Sequence, residues 1–142
     1  MADVFSKKKR SLIMSRIRAK DTAPELLVRK FLFKHGYRYR LHVKTLPGKP
    51  DIVLAKYKTA IFVHGCFWHG HPNCNKASLP KTRTEWWQEK ITRNMTNDLR
   101  NLLLLEQAGW SVIVIWQCEL RKNKAYLNNL LTDFRARKLA LR

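Results

Sequence analysis

Apolar residues change their spacing along the chain from helical to strand-like and back, and the changes mark the elements. After Thr22-Ala23-Pro24-Glu25, Leu27, Val28, Phe31 and Leu32 recur at helical intervals, which predicts an amphipathic helix with that stripe turned to a core. Thr22 can cap it, Pro24 is tolerated in the first turn and Glu25 completes a capping box. Gly36 is placed to end it. Residues 37–43 are β-rich and read as a strand, and 46–50, Leu-Pro-Gly-Lys-Pro, as a turn. Residues 51–55 and 59–64 read as paired strands joined by a short turn. Both are apolar through the middle, as expected for strands covered on both faces. An irregular stretch over 65–81 precedes a long helix over 85–107, with Leu99, Leu102, Leu103 and Leu105 packing near its end and Ala108-Gly109 stopping it. Residues 110–117 form another apolar strand and 122–138 a final, weaker helix. That order predicts an α/β sandwich around a mixed sheet.

No repeat or long linker divides residues 21–142, which read as a single domain. Residues 1–20 stand apart as a basic arm, in which Leu12, Ile13 and Ile17 have roughly helical spacing among Lys7, Lys8, Lys9, Arg10, Arg16, Arg18 and Lys20.

Charge sharpens this picture. Lys and Arg number 29 against 10 Asp and Glu, a net charge of +19. That exceeds what solubility requires and points to a polyanionic partner, nucleic acid before an anionic membrane surface. The apolar runs at 102–105 and 112–116 are far short of the ~20 residues that span a bilayer. Residues 2–6 are too short for a signal-peptide core. A cytosolic chain is expected, and its three cysteines are then poor candidates for disulfides.

Their spacing is more informative. Cys66, His71 and Cys74 lie in the irregular stretch and Cys118 follows the last strand. A Cys3His set suits tetrahedral structural zinc, and a long irregular segment gains most from such a clip. His69 could replace His71 as the fourth ligand. Among the few acids, Asp51 opens an apolar strand after a Gly-Pro turn, where a carboxylate could hold Mg2+. If the strands pair as a hairpin, His64 comes close to Asp51, with His69 five residues further on. Glu25 could face the same place, or only close its capping box; Asp51 could only cap a turn. This is similar to the PD-(D/E)xK nuclease layout, except that Phe62-Val63-His64-Gly65 has neither the second acid nor the lysine. His64 and His69 are candidates for the proton transfers such a site needs. Phe67 and Trp68, inside the proposed zinc loop, read as exposed and suited to entering a base stack; Trp87, Trp110 and Trp116 read as core.

These residues resemble the very-short-patch-repair (Vsr) endonuclease family. The matching stretches include 14–25, 36–42, Leu-Pro-Gly-Lys-Pro-Asp-Ile-Val at 46–53, Ile-Phe-Val-His-Gly-Cys-Phe-Trp-His-Gly-His at 61–71, and 110–118. The resemblance implies a restriction-endonuclease-like three-layer α/β fold with a zinc-stapled loop. It implies Mg2+-dependent nicking of double-stranded DNA on the 5′ side of the T in a T·G mismatch left by deaminated 5-methylcytosine. The expected actors are Asp51 and the backbone carbonyl of Val63 on Mg2+, His69 as general base or proton shuttle assisted by His64, and Glu25 supporting the metal-water cluster. Cys66, His71, Cys74 and Cys118 are expected on Zn2+, and Phe67, Trp68 and Trp86 as an intercalating wedge. A monomer that meets mismatch-repair proteins of the MutL type is also implied.

Overall fold

A computed structural model describes residues 21–122 and 125–140; the basic arm at 1–20 lies outside them. Helix α1 runs from Ala23 to Lys34 and starts as its sequence requires, with Thr22 Oγ1 accepting from Glu25 N at 3.4 Å. The return bond of the box goes one residue further back, from Asp21 N to Glu25 Oε2 at 3.1 Å. Gly36, at φ 87°, supplies the left-handed residue that ends the helix, with Tyr37 N donating to Leu32 O and Gly36 N to Phe33 O. Val28 and Leu32 are fully buried, whereas Leu27 is exposed, so the inward stripe is narrower than its sequence pattern.

The sheet has the order β1-β2-β3-β4: β1 (Arg40–Leu41), β2 (Ile52–Leu54), β3 (Thr59–His64) and β4 (Ser111–Trp116). The first two pairings are antiparallel and β3 with β4 is parallel, so the sheet is mixed as expected. Strand β1 is much shorter than the predicted 37–43. Its partner β2 has only three residues, and His42 adopts a left-handed backbone at φ 48°, which leaves the extended region a ladder needs. The turn between β2 and β3 is a 3-10 turn, Ala55–Tyr57, closed by Lys58 at φ 47°.

Helix α2 (Thr84–Gln107) follows the irregular stretch and ends on a Gly109-centred cap. Ile91 and Leu105 are buried on its inner side, but Leu99 and Leu103 are exposed. The predicted leucine packing therefore holds for Leu105, and for Leu102 in part. Positions 91, 98 and 105 recur every two turns along one face, and 99 and 103 fall off it. After β4 the chain turns directly into a short helix, α3 (Gln117–Lys122), and then α4 (Tyr126–Ala140). The helix predicted over 122–138 is α4; the short α3 before it was not predicted, and Cys118 sits in its first turn.

Val28 and Leu32 of α1 and Leu130 and Leu131 of α4 pack with Ile52, Leu54, Ile61, Ile113 and Ile115 in the main core. In register, Ile52, Ile61 and Ile113 stand side by side, which places them on one face of the pleat. Helix α2 packs on β4 and, with Phe62 and Val114 of the alternate strand positions, lines a cavity on the opposite side. The sheet is thus sandwiched between helices. No helix among the described residues is long and apolar enough to cross a membrane.

Candidate functional site

Strands β3 and β4 end level with each other, His64 opposite Trp116, and the unusual chemistry gathers at that end. A cavity of about 800 Å3 opens there, lined by Asp51, His64, His69 and Asp98 together with His42 and Lys49. His42, Lys49 and Asp21, which also lines it, all carry left-handed backbones, a cost that structures tolerate mainly at functional sites.

Asp51 reaches the cavity because the Gly48 turn is held tightly against α2. A Cβ on Gly48 would stand 3.0 Å from Asn101 Cβ. The Asp51 carboxylate accepts a hydrogen bond from Val63 N at 2.8 Å. Burial raises its pKa above the usual carboxylate range, while that N–H and the charges of His42, His69 and Arg29 work against the rise. Val63 also lines the cavity.

Glu25 is buried beside Asp51's strand end, outside the cavity wall. Its Oε2 lies 3.1 Å from Arg29 and 3.5 Å from His42 Nε2, while His42 Nδ1 lies 3.9 Å from Asp51 Oδ1. Burial, then the charge of Asp51, pushes the Glu25 pKa up. Arg29 also binds Asp21 at 2.6 Å. Glu25 thus meets Asp51 through His42, and its capping role and its place beside the site coexist. Neither Arg29 nor His42 stood out as site residues in the sequence; the only signal is Arg29 one helical turn after Glu25.

The two histidines expected near Asp51 lie ring on ring, His64 against His69 with centroids 3.8 Å apart and planes 4° from parallel. His69 Nδ1 is 2.7 Å from Asp98 Oδ2, a pairing that fixes which ring nitrogen carries the proton. Asp98 was missed in the sequence because a lone acid in the middle of a helix has no local pattern. Burial, followed by the neighbouring His69 charge, lowers the His64 pKa to about 4, so that ring is neutral around pH 7.

A separate centre lies behind this one. One donor atom from each of Cys66, His71, Cys74 and Cys118 lies within 4.8 Å of all the others, and Cys118 Sγ is 3.3 Å from His71 Nδ1. In a tetrahedral zinc site thiolate sulfurs stand about 3.7 Å apart, so the donor set and its spacing fit that ion. Burial, then contacts with Cys66 and Cys74, pushes the Cys118 thiol up to about 11; a bound dication would reverse that preference. His71, not His69, converges with the cysteines. The divergence is built by the turn between them. His69 N donates to Gly65 O and His71 N to Cys66 O, and Gly70 sits at φ 61° pressed on α2, where an added Cβ would meet Met95 Sδ at 2.6 Å.

Beside this loop stands an aromatic cluster. Phe67 and Trp68 have ring centroids 5.1 Å apart and are half-buried, less open than the sequence suggests. Trp87 is the hub: its ring lies 5.3 Å from Phe67, 5.7 Å from Trp68 and 4.7 Å from Trp86. It is only partly buried, and belongs to this cluster and not to the predicted core. Trp110 and Trp116 are likewise only partly buried. Trp86 is 42% exposed, and the cations of Arg83 and Lys90 lie over its ring.

Residues 2–76 match the family model described as DNA mismatch endonuclease Vsr. The chain is 53% identical over 139 residues to the type II nicking enzyme V.NmeAIP of Neisseria meningitidis serogroup A, covering 95% of this chain and 98% of that one. It is 48% identical over 120 residues to the type II nicking enzyme V.XorIIP of Xanthomonas oryzae pv. oryzae, covering 84% and 88%. With the DNA mismatch endonuclease Vsr of Escherichia coli K12 it shares 41% identity over 133 residues, 94% of this chain and 85% of the other.

Proposed function

The chain belongs to the Vsr family of DNA mismatch endonucleases, and on that premise we propose that it nicks double-stranded DNA on the 5′ side of the T in a T·G mismatch. The observation that carries this reading is the convergence of Asp51 and the His69–Asp98 pair on one open cavity beside a cluster of aromatic rings. A carboxylate and an oriented imidazole are the groups that phosphodiester hydrolysis needs, one for a cation and one for a proton.

Mg2+ held by Asp51 and the Val63 carbonyl would supply charge stabilisation at the scissile phosphate and a more acidic water. A partly desolvated carboxylate of raised pKa fits that ion, because a cation relieves its burial cost. The protein's own groups do the rest. Asp98 accepts from His69 Nδ1, leaving Nε2 free to take the proton of the attacking water. His64, neutral and stacked on His69, holds that ring in its plane and keeps water from its back. Glu25 and His42 would act on Asp51 through charge, His42 standing between the two carboxylates. Cys66, His71, Cys74 and Cys118 would hold Zn2+ as a structural staple. The site is a relative of the PD-(D/E)xK design in which histidines take over from the second acid and the lysine.

Selectivity begins with deformability. A T·G wobble pair stacks poorly, so inserting rings costs least there. Phe67, Trp68 and Trp86 serve as the wedge, and Trp87 packs against all three. The net charge of +19 supplies phosphate affinity without regard to sequence.

The test is a comparison of T·G and T·A duplexes of the same sequence with Mg2+. One nick on the 5′ side of the mismatched T, and none in the paired duplex, is expected. Equal cutting of both would instead indicate a restriction-type nuclease. Tight mismatch binding without metal-dependent cleavage would indicate a non-catalytic zinc module.

A further inference from the structure

Trp116 stands where the two centres meet. It ends β4, opposite His64 in the parallel register. Its indole lies flat on His71, with centroids 4.1 Å apart and planes 11° from parallel. Its edge meets His64 at 5.2 Å and 72°. His64 in turn lies flat on His69, which binds Asp98. A continuous file of rings therefore runs from the cysteine cluster to the Asp98 carboxylate.

His64 needs such a support. It is 7% exposed, and its Nδ1 is buried without a hydrogen-bond partner. Ring packing is therefore the main restraint on its plane from that side. Edge-to-face and stacked aromatic contacts are directional, and so favour one ring orientation among a few. The outer end of the file is His71, whose own plane is fixed once its Nδ1 is held with the three thiolates.

We propose that Trp116 is a positioning residue for cleavage: it transmits the fixed plane of His71 to His64, and so holds His69 on Asp98 in the orientation that can take a proton. On this view the cysteine cluster orients the proton acceptor as well as stapling the loop. The proposal rests on the reading of His69 as that acceptor. A group displaced by about 1 Å from its working position can cost about 100-fold in rate.

The experiment uses the full zinc-loaded protein and its Trp116→Leu, Trp116→Phe and His71→Cys variants. Four quantities are read: zinc per chain, Kd for a T·G duplex, single-turnover nicking rate at saturating protein, and the low-field imidazole N–H resonance of the His69–Asp98 hydrogen bond in the free protein. Trp116→Leu is expected to keep its zinc and its Kd, to lose about 100-fold in nicking rate, and to broaden or lose the resonance. Trp116→Phe, which retains a flat ring between the histidines, should recover most of the rate and the resonance. His71→Cys keeps four zinc ligands but removes the outer ring, and should give an intermediate loss of about tenfold; it decides the matter in the same terms if the leucine variant does not fold. The proposal is overturned if the variants keep both rate and resonance. It is equally overturned if leucine and phenylalanine behave alike, or if the loss lies in Kd or zinc content. Should the unaltered protein fail to nick the T·G duplex, the functional reading falls, while the resonance still reports whether Trp116 orients His69.

Discussion

Two centres share the segment that follows β3 and use it differently. The cysteine cluster gathers three sulfurs and one imidazole within 4.8 Å, two of its cysteines are buried, and the donors are soft. The cavity beside it is open, holds carboxylates and imidazoles, and has room of about 800 Å3 for a substrate. Soft donors that fill their own coordination sphere suit a structural ion, whereas hard donors around an open space suit an ion that must also bind substrate. His69 and His71, two residues apart, serve opposite sides of this division. Gly70 between them makes that possible.

If the first centre is structural, breaking it should damage the fold before the chemistry. Cys66→Ser or Cys118→Ser should lose zinc and lower the melting temperature by roughly 10 °C or more, measured by metal analysis and calorimetry. Unchanged melting with no zinc in the unaltered protein would remove the distinction. In the second centre the reverse pattern is expected. Asp98→Asn should leave melting nearly unchanged but slow single-turnover nicking by about 100-fold, because a neutral amide does not stabilise the imidazolium that forms when His69 takes a proton, and its NH2 can turn the ring to the wrong tautomer.

Gly70→Ala addresses both centres at once. The methyl group must displace Met95 and Ile91 on α2, and the left-handed φ disfavours it, for a combined cost of about 1–3 kcal/mol. Calorimetry should show that loss together with weaker zinc retention and slower nicking. A variant that loses stability alone would mean the two histidines do not depend on the turn between them.

The smallest effect concerns Glu25. Its folded pKa is raised by burial and by Asp51, so the folded state binds protons more tightly than the unfolded one. By linkage, the stability that protonated Glu25 contributes is present at low pH and is lost as pH rises through its folded pKa. Glu25→Gln should therefore gain stability relative to the unaltered protein as pH rises above the ordinary glutamate range, while nicking declines. A melting difference independent of pH would contradict this.

Local patterns carried much of the fold. The Thr22 cap, Gly36, the apolar runs of β2 to β4 and the Gly109 stop are all short-range signals, and each lies where its chemistry required. What stayed hidden was set by tertiary geometry. Leu27, Leu99 and Leu103 fit a helical apolar pattern, yet the packed face is too narrow to cover them. Trp87 looked like core and instead joins the aromatic cluster. In the site, Asp51, His64, His69 and the four sulfur and imidazole donors were legible as residue types with spacing. Asp98, His42 and Arg29 were not, because only packing brings α2, the end of β1 and α1 to the same place. The sequence spacing named His71 as the fourth donor but left His69 as a possible replacement; the turn at Gly70 separates the two.

The separation of the two centres is tested most directly by Asp51→Ala, assayed on a T·G duplex with Mg2+ after zinc content and mismatch affinity have been measured on the same sample. The account predicts full zinc, near-normal binding and a nicking rate reduced by about 1000-fold or more. Undiminished nicking by that variant would contradict it.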